Sequence, residues 1–178
     1  MWRNILKYGV IAGLVVAAGM WGTLLAFGGD MPHGWFGMAL GYLSMLVALS
    51  AVFVGIKHHR DVDRGGVIRF WPAFGLGLGI SLVAGIFYVL AWELAQATVA
   101  GDFASNYATA AIAQARADGA DAAALAELRA QMESFKTLYA NPMFRLPMTF
   151  VEIFPVGVLV SLVSAAVLRN PRMLPARG

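Results

Sequence analysis

The sequence predicts an all-α membrane protein: a four-transmembrane-helix bundle with a helical hairpin on the outer (periplasmic) side between helices 3 and 4. Three observations support this fold class. The 178 residues are 60% hydrophobic and only 13% charged, with a mean hydropathy of +0.70, which is too apolar for a soluble domain of this length. Four apolar segments are each long enough to cross a hydrocarbon layer of about 30 Å. The more polar segment at residues 102–141 carries apolar residues at the spacing of three and four that marks one face of a helix.

The four apolar segments are the predicted membrane spans. They cover residues 8–28, 35–56, 71–94 and 144–168. Each holds roughly the 20 apolar residues that a crossing helix needs. No linker-like segment divides the chain, so residues 1–178 are predicted to form a single integral membrane domain.

The first span has a cleaved signal peptide as its alternative interpretation, because Arg3 and Lys7 precede it. Its apolar core is longer than that of a typical signal peptide. Trp21 also lies where a signal peptide would carry small residues for cleavage. We therefore expect a retained transmembrane helix.

Basic residues predict the orientation, because short loops rich in Lys and Arg tend to stay in the cytoplasm. They flank the spans in the N-terminal segment, the loop after the second span and the C-terminal tail: Arg3, Lys7, Lys57, Arg60, Arg64, Arg69, Arg169, Arg172 and Arg177. The connection at residues 28–34 contains neither Lys nor Arg. Both termini are therefore predicted to be cytoplasmic.

The segment at residues 102–141 is predicted to form an extramembrane helical hairpin. Asp121 is a plausible N-cap for its second helix, and Asn141-Pro142 ends that helix. Apolar residues recur at helical spacing and are candidates for contact with a partner: Leu125, Leu128, Met132 and Phe135. The stripe could equally rest on the bundle or on lipid headgroups, and the sequence leaves these alternatives open.

Glu152 is the most informative polar residue, since a carboxylate inside a span is costly and usually faces a partner or a cavity. Pro155 removes a backbone donor nearby, which predicts a polar notch in a proline-broken fourth helix. Counting inward from the outer face puts four polar side chains in the same layer: Thr23, Tyr42, Ser44 and Tyr88. We expect at least one of them to hydrogen bond with Glu152. The site could bind a proton, an ion or a substrate, or the carboxyl could simply lock helix packing.

Glu93 ends the third span and Arg145 begins the fourth, so an antiparallel pair of helices predicts an interfacial ion pair between them. The alternative interpretation is a charged mouth of a substrate path.

No metal site or cofactor is predicted. His58, His59, Asp61 and Asp63 follow the second span, but adjacent histidines diverge on regular backbone, and a solvated basic loop explains them. There is no cysteine. The basic residues border apolar spans without interleaved aromatics, so nucleic acid is not an expected partner.

Small residues at helical spacing predict close approach of helix backbones. They fall in three spans: Gly9 and Gly13, Gly37 and Gly41, and Gly75 and Gly79. Packing within one chain and homodimerisation are both open.

Four segments together resemble a family of bacterial integral membrane proteins, the domain of unknown function 4199 family. They are LKYGVIAGL, GYLSMLVALSAVFVGIKHHRD, GGVIRFWPAFGLGLGISL and FKTLYANPMFRLPMTFVEIFPVGVLVSLVSA. The resemblance covers nearly the whole chain. It implies a multi-pass protein of the bacterial cytoplasmic (inner) membrane and implies no chemistry.

Three functions are consistent with these features. We favour a non-enzymatic subunit or scaffold of a larger membrane assembly, in contact with lipids and with another membrane protein or itself. A small homo-oligomeric carrier or channel that uses Glu152 is the alternative. A lipid-directed membrane enzyme is the third, although no second acid or base stands at a diagnostic spacing.

Overall fold

The computed structural model describes residues 1–29, 32 and 34–175. Arg177, one of the basic residues of the tail, lies outside the described residues. The described part is helical and contains no strand, and its helices are α1 (Trp2–Ala26), α2 (Gly34–His58), α3 (Phe70–Thr98), α4 (Phe103–Ala117), α5 (Ala122–Tyr139) and α6 (Pro142–Leu168). A π-helical turn, His59–Asp63, continues α2.

Four of these helices are long and apolar enough to cross a membrane: α1, α2 with its π-helical turn, α3 and α6. The all-helical fold class with four candidate spans is thus confirmed. The helices extend beyond the apolar segments, so that α1 begins at Trp2 and α3 continues to Thr98. Successive spans run antiparallel, which places both termini and the π-helical turn at one end of the bundle and the α4–α5 hairpin at the other. We call these the termini end and the hairpin end.

Helices α1 and α3 cross closely because glycine leaves room for the neighbouring side chain. A Cβ at Gly9 would lie 2.6 Å from Val83 Cβ, and one at Gly13 would lie 2.4 Å from Phe87 Cβ. Gly79 makes the reciprocal contact, with Ile5 of α1. Three of the six predicted packing glycines therefore lie in one helix–helix interface.

Helices α3 and α6 meet through small polar residues. A Cβ at Gly77 would meet Ser161, and a Cβ at Gly157 would meet Ser81. The two serine hydroxyls lie 3.3 Å apart, and each also donates to a carbonyl of its own helix. These internal hydrogen bonds satisfy the hydroxyls in a fully buried interface.

The other three glycines do not pack against another helix in the described part of the chain, so for them homodimerisation stays a prediction. Gly41 and Gly75 face open space. Gly37 lies against the backbone of Pro32, in the preceding connection. The spacing of glycines predicts a helix face without bulky side chains, but it does not predict whether another helix packs against that face.

Helix α2 packs along only half of its length. Its buried residues all lie toward the termini end: Met45, Ala48, Leu49, Val52, Gly55 and Ile56. Residues 34–44 include no buried residue. The hairpin-end half of α2 therefore stands away from the centre of the bundle.

The hairpin folds upon itself. Asp102 and Asp121 cap its helices by accepting from the backbone N–H of Ser105 and Ala124. The predicted stripe Leu125, Leu128, Met132 and Phe135 is half-buried, and the Phe135 ring lies 5.7 Å from the Tyr107 ring of α4. Packing against α4 thus covers part of the surface predicted to meet a partner.

Candidate functional site

The open half of α2 leaves a cleft of about 560 Å³ at the hairpin end. All four spans and both hairpin helices contribute to its wall. The cleft brings together five of the six residues predicted to form an intramembrane polar site: Thr23, Tyr42, Ser44, Tyr88 and Glu152. Their depth along four antiparallel helices was sufficient to predict this juxtaposition.

Glu152 accepts one hydrogen bond, from the Tyr88 hydroxyl to Oε2 at 3.1 Å. Thr23 and Ser44 instead donate to carbonyls of their own helices, those of Gly19 and Gly41. Tyr88 is therefore the single donor to Glu152 among the described residues. Thr and Ser in helices commonly donate to the carbonyl three or four residues earlier. These internal hydrogen bonds leave the Glu152 carboxyl group available to a ligand.

Pro155, the sixth predicted residue, lies on an exposed face and not in the cleft. Helix α6 continues through both Pro147 and Pro155, so the predicted proline-broken helix is wrong. Neighbouring turns of a membrane helix can absorb the missing donor.

Aromatic side chains from the hairpin and α3 form the roof of the cleft. The rings of Trp92 and Phe103 meet edge to face at 4.9 Å, and Phe135 and Tyr139 lie 5.2 Å apart. Trp92 Nε1 donates to the Tyr139 hydroxyl at 2.7 Å. Burial raises the pKa of Tyr139 to about 12, so the phenol remains neutral at physiological pH.

This aromatic roof was not predicted from the sequence, which indicated only that the α5 stripe could be a contact surface. The available signal was the matched spacing of aromatics at the base of the hairpin, Phe103 with Tyr107 and Phe135 with Tyr139, which places each pair on one helix face.

The structure contains the Glu93–Arg145 ion pair. Two guanidinium nitrogens of Arg145 donate to the two carboxylate oxygens, Nε at 2.7 Å and Nη2 at 2.6 Å. A third, Nη1, donates to the Tyr139 carbonyl at 3.2 Å. Arg145 thereby joins α3, α5 and α6 beside the cleft, and its charge is already paired.

A second polar cluster occupies the termini end, where the sequence predicted a solvated loop. Arg60 is 0% exposed and donates to the carbonyls of Leu168, Met173 and Leu174. His59 is also buried, with Nδ1 2.7 Å from Asp63. The prediction of solvation is wrong for these two residues because the tail and α1 cover the π-helical turn.

The described residues contain no group of three His, Cys, Asp or Glu side chains that could hold a metal ion. The cleft is chemically a different kind of site. It combines one carboxyl group with seven aromatic side chains, so it can bind a group that is both polar and bulky.

Comparison with known proteins gives one match. A family model described as a protein of unknown function (DUF4199) matches residues 7–170. No curated protein and no solved structure matches the chain.

Proposed function

The chain belongs to the DUF4199 family of proteins of unknown function, and we propose that it is a non-enzymatic membrane protein whose cleft binds an amphipathic molecule. The observation that carries this proposal is the 560 Å³ cleft with Glu152 in its wall. Binding sites for small molecules are commonly of roughly 300–1,000 Å³, mostly apolar, with a few placed polar groups.

The position of the cleft suits a ligand that is itself embedded in lipid. Met38 and Tyr42, on its α2 wall, are 65% and 51% exposed. Glu152 lies seven residues beyond Arg145, or about 10 Å further along the helix at 1.5 Å per residue. A bound molecule would place a polar group about one-third of the way into the bilayer and an apolar part toward α2.

The binding proposal is tested by two matched glycine variants. Gly41 and Gly75 both face open space, but only Gly41 lines the cleft. Gly41→Leu should place its side chain in the cleft, since a Cβ at this position meets nothing within 4 Å, and Gly75→Leu should leave the cleft open. Native mass spectrometry after detergent-free extraction should detect a retained amphiphile on wild type and Gly75→Leu and not on Gly41→Leu. Equal retention by all three proteins would overturn the proposal.

The proposed location is the bacterial cytoplasmic membrane, with both termini cytoplasmic and the hairpin periplasmic. The basic residues of the termini end support this orientation. The chain contains no cysteine, so maleimide labelling of a variant comes from the one cysteine that was introduced. In intact cells an impermeant maleimide should label Ala113→Cys in the hairpin and not Arg172→Cys in the tail, and the reverse pattern would overturn the orientation.

A second candidate is a subunit or scaffold of a larger membrane assembly. The hairpin-end half of α2 favours it, because the described part of the chain buries none of residues 34–44 and Gly41 would allow a partner helix to approach closely. Co-purification with another membrane protein at fixed stoichiometry would support this function. A chain that is extracted alone overturns it, whereas one extracted only with itself would favour the homo-oligomeric carrier.

A lipid-directed enzyme has less support. General acid–base catalysis normally uses two placed groups, and the one side chain that hydrogen bonds Glu152 among the described residues is the phenol of Tyr88.

A further inference from the structure

The charge of the cleft lining restricts the kind of ligand that can bind. Of the described residues that line it, Glu152 alone is an acid and none is Lys, Arg or His. Arg145, the nearest basic residue along α6, is held by Glu93 and the Tyr139 carbonyl. Among the described residues of the lining, a ligand with a negative group would therefore meet one carboxylate and no available cation.

Glu152 needs a positive partner if it is ionised, because a carboxylate in apolar surroundings is strongly destabilised when unpaired. Within the described structure it has one neutral donor, the Tyr88 hydroxyl. A metal ion is a poor candidate, since hard cations require several oxygen ligands and the hydroxyls of Thr23 and Ser44 donate to their own helices.

The aromatic side chains supply what an organic cation requires. Seven line the cleft: Tyr42, Tyr88, Trp92, Phe103, Tyr107, Phe135 and Tyr139. Aromatic faces attract ammonium groups, most strongly where water is excluded, and several faces together recognise quaternary ammonium. The carboxylate would neutralise the charge while the rings contact the carbon atoms attached to nitrogen.

We infer that the cleft binds a lipophilic organic ammonium ion, with its nitrogen between Glu152 and the aromatic roof and its apolar chain along the open half of α2. This inference rests on the proposed binding function and narrows it to one class of ligand. A zwitterionic lipid fits less well, because its phosphate would find no free cation among the lining residues that the structure describes.

The test compares three probes of equal chain length on the full chain in phosphatidylglycerol nanodiscs: decyltrimethylammonium, decanol and decanoate. Binding is followed by tryptophan fluorescence, to which Trp92 in the roof contributes. The ammonium probe should bind wild type most tightly. Glu152→Gln should weaken that binding by at least about tenfold, as expected for loss of a poorly solvated charge pair, and should change decanol binding little.

Three further variants keep the test interpretable. Glu127→Gln, at an exposed hairpin position, removes an equal charge and should leave all affinities unchanged. Glu152→Asp retains the charge and should keep the preference for the ammonium probe if Glu152→Gln fails to fold. Gly41→Leu should weaken the binding of every probe, and Gly75→Leu should leave the binding of all three unchanged.

The outcomes separate the two proposals. If decanol binds as tightly as the ammonium probe, Gly41→Leu abolishes both and Glu152→Gln changes neither, the ligand class is wrong and the binding function stands. If added phosphatidylethanolamine displaces the ammonium probe at equimolar amounts, a zwitterionic lipid is the occupant and the inference is overturned. If no probe binds wild type, or Gly41→Leu changes nothing, the proposed cleft function itself is wrong.

Discussion

The two ends of the bundle are built differently although the same helices form both. At the termini end, α2 contributes Leu49, Val52 and Ile56 to the core, each 0% exposed, and the buried Arg60 joins the π-helical turn to the tail. At the hairpin end, residues 34–44 of the same helix bury nothing and border the cleft. The difference lies in α2: it packs into the core at the termini end, whereas at the hairpin end a separate core around Leu24 and Trp92 forms without it and α2 borders the candidate site. Substitutions at the two ends should therefore differ in their effect on the free energy of unfolding.

Arg60→Ala should destabilise the protein by about 3–5 kcal/mol, because it breaks a buried ion pair with Asp61 and leaves the carbonyls of Met173 and Leu174 without their donor. Thermal or denaturant unfolding in detergent, followed by circular dichroism, measures the loss. Arg64→Ala is the matched control, since Arg64 is exposed at the same end. Equal stability of the two variants would contradict the role assigned to Arg60.

Leu49→Ala should lower the free energy of unfolding by about 2–5 kcal/mol, the usual range for a cavity in a packed core. Leu43→Ala, six residues earlier on the same helix and 59% exposed, should change it by less than about 0.5 kcal/mol. The same unfolding assay applies to both. A large loss of unfolding free energy in Leu43→Ala would show that the hairpin-end half of α2 is packed against the bundle.

Tyr139→Phe should loosen the attachment of the hairpin to α3 at a cost of about 1 kcal/mol, because Trp92 and Gln96 lose their acceptor while the aromatic packing remains. Hydrogen exchange of α4 and α5 should increase, while exchange of α2 at residues 45–56 should not. Uniform acceleration across the chain would mean that the two ends are not energetically separate.

Glu152→Gln should have the smallest effect on stability, below about 0.5 kcal/mol, since an amide fills the same space and can still accept from Tyr88. Its effect belongs to ligand binding. A loss above about 2 kcal/mol would favour the other interpretation of this residue, a structural carboxyl that locks helix packing.

Much of the candidate site could be predicted because depth in a membrane is nearly a linear function of sequence position. Tyr88 and Glu152 lie on antiparallel helices at matching distances from the hairpin, and counting residues put Tyr88 among the four candidate partners of Glu152. The Glu93–Arg145 pair follows from the same counting. The aromatic roof could not be predicted this way, since it depends on how an extramembrane hairpin folds back over the spans.

The sequence by itself determined the solvent, the four spans and the two hairpin helices, because hydropathy and helical periodicity are local properties of the chain. Only the tertiary structure decided which glycine-containing helix faces are covered. A Cβ at Gly9 or Gly13 would meet α3, whereas a Cβ at Gly41 would meet nothing within 4 Å. It also decided that Arg60 is buried by a tail 108 or more residues away. The physical reason is that lipid solvates an apolar helix face about as well as another helix does, so hydropathy does not specify where two helices touch and where they part to leave a cleft.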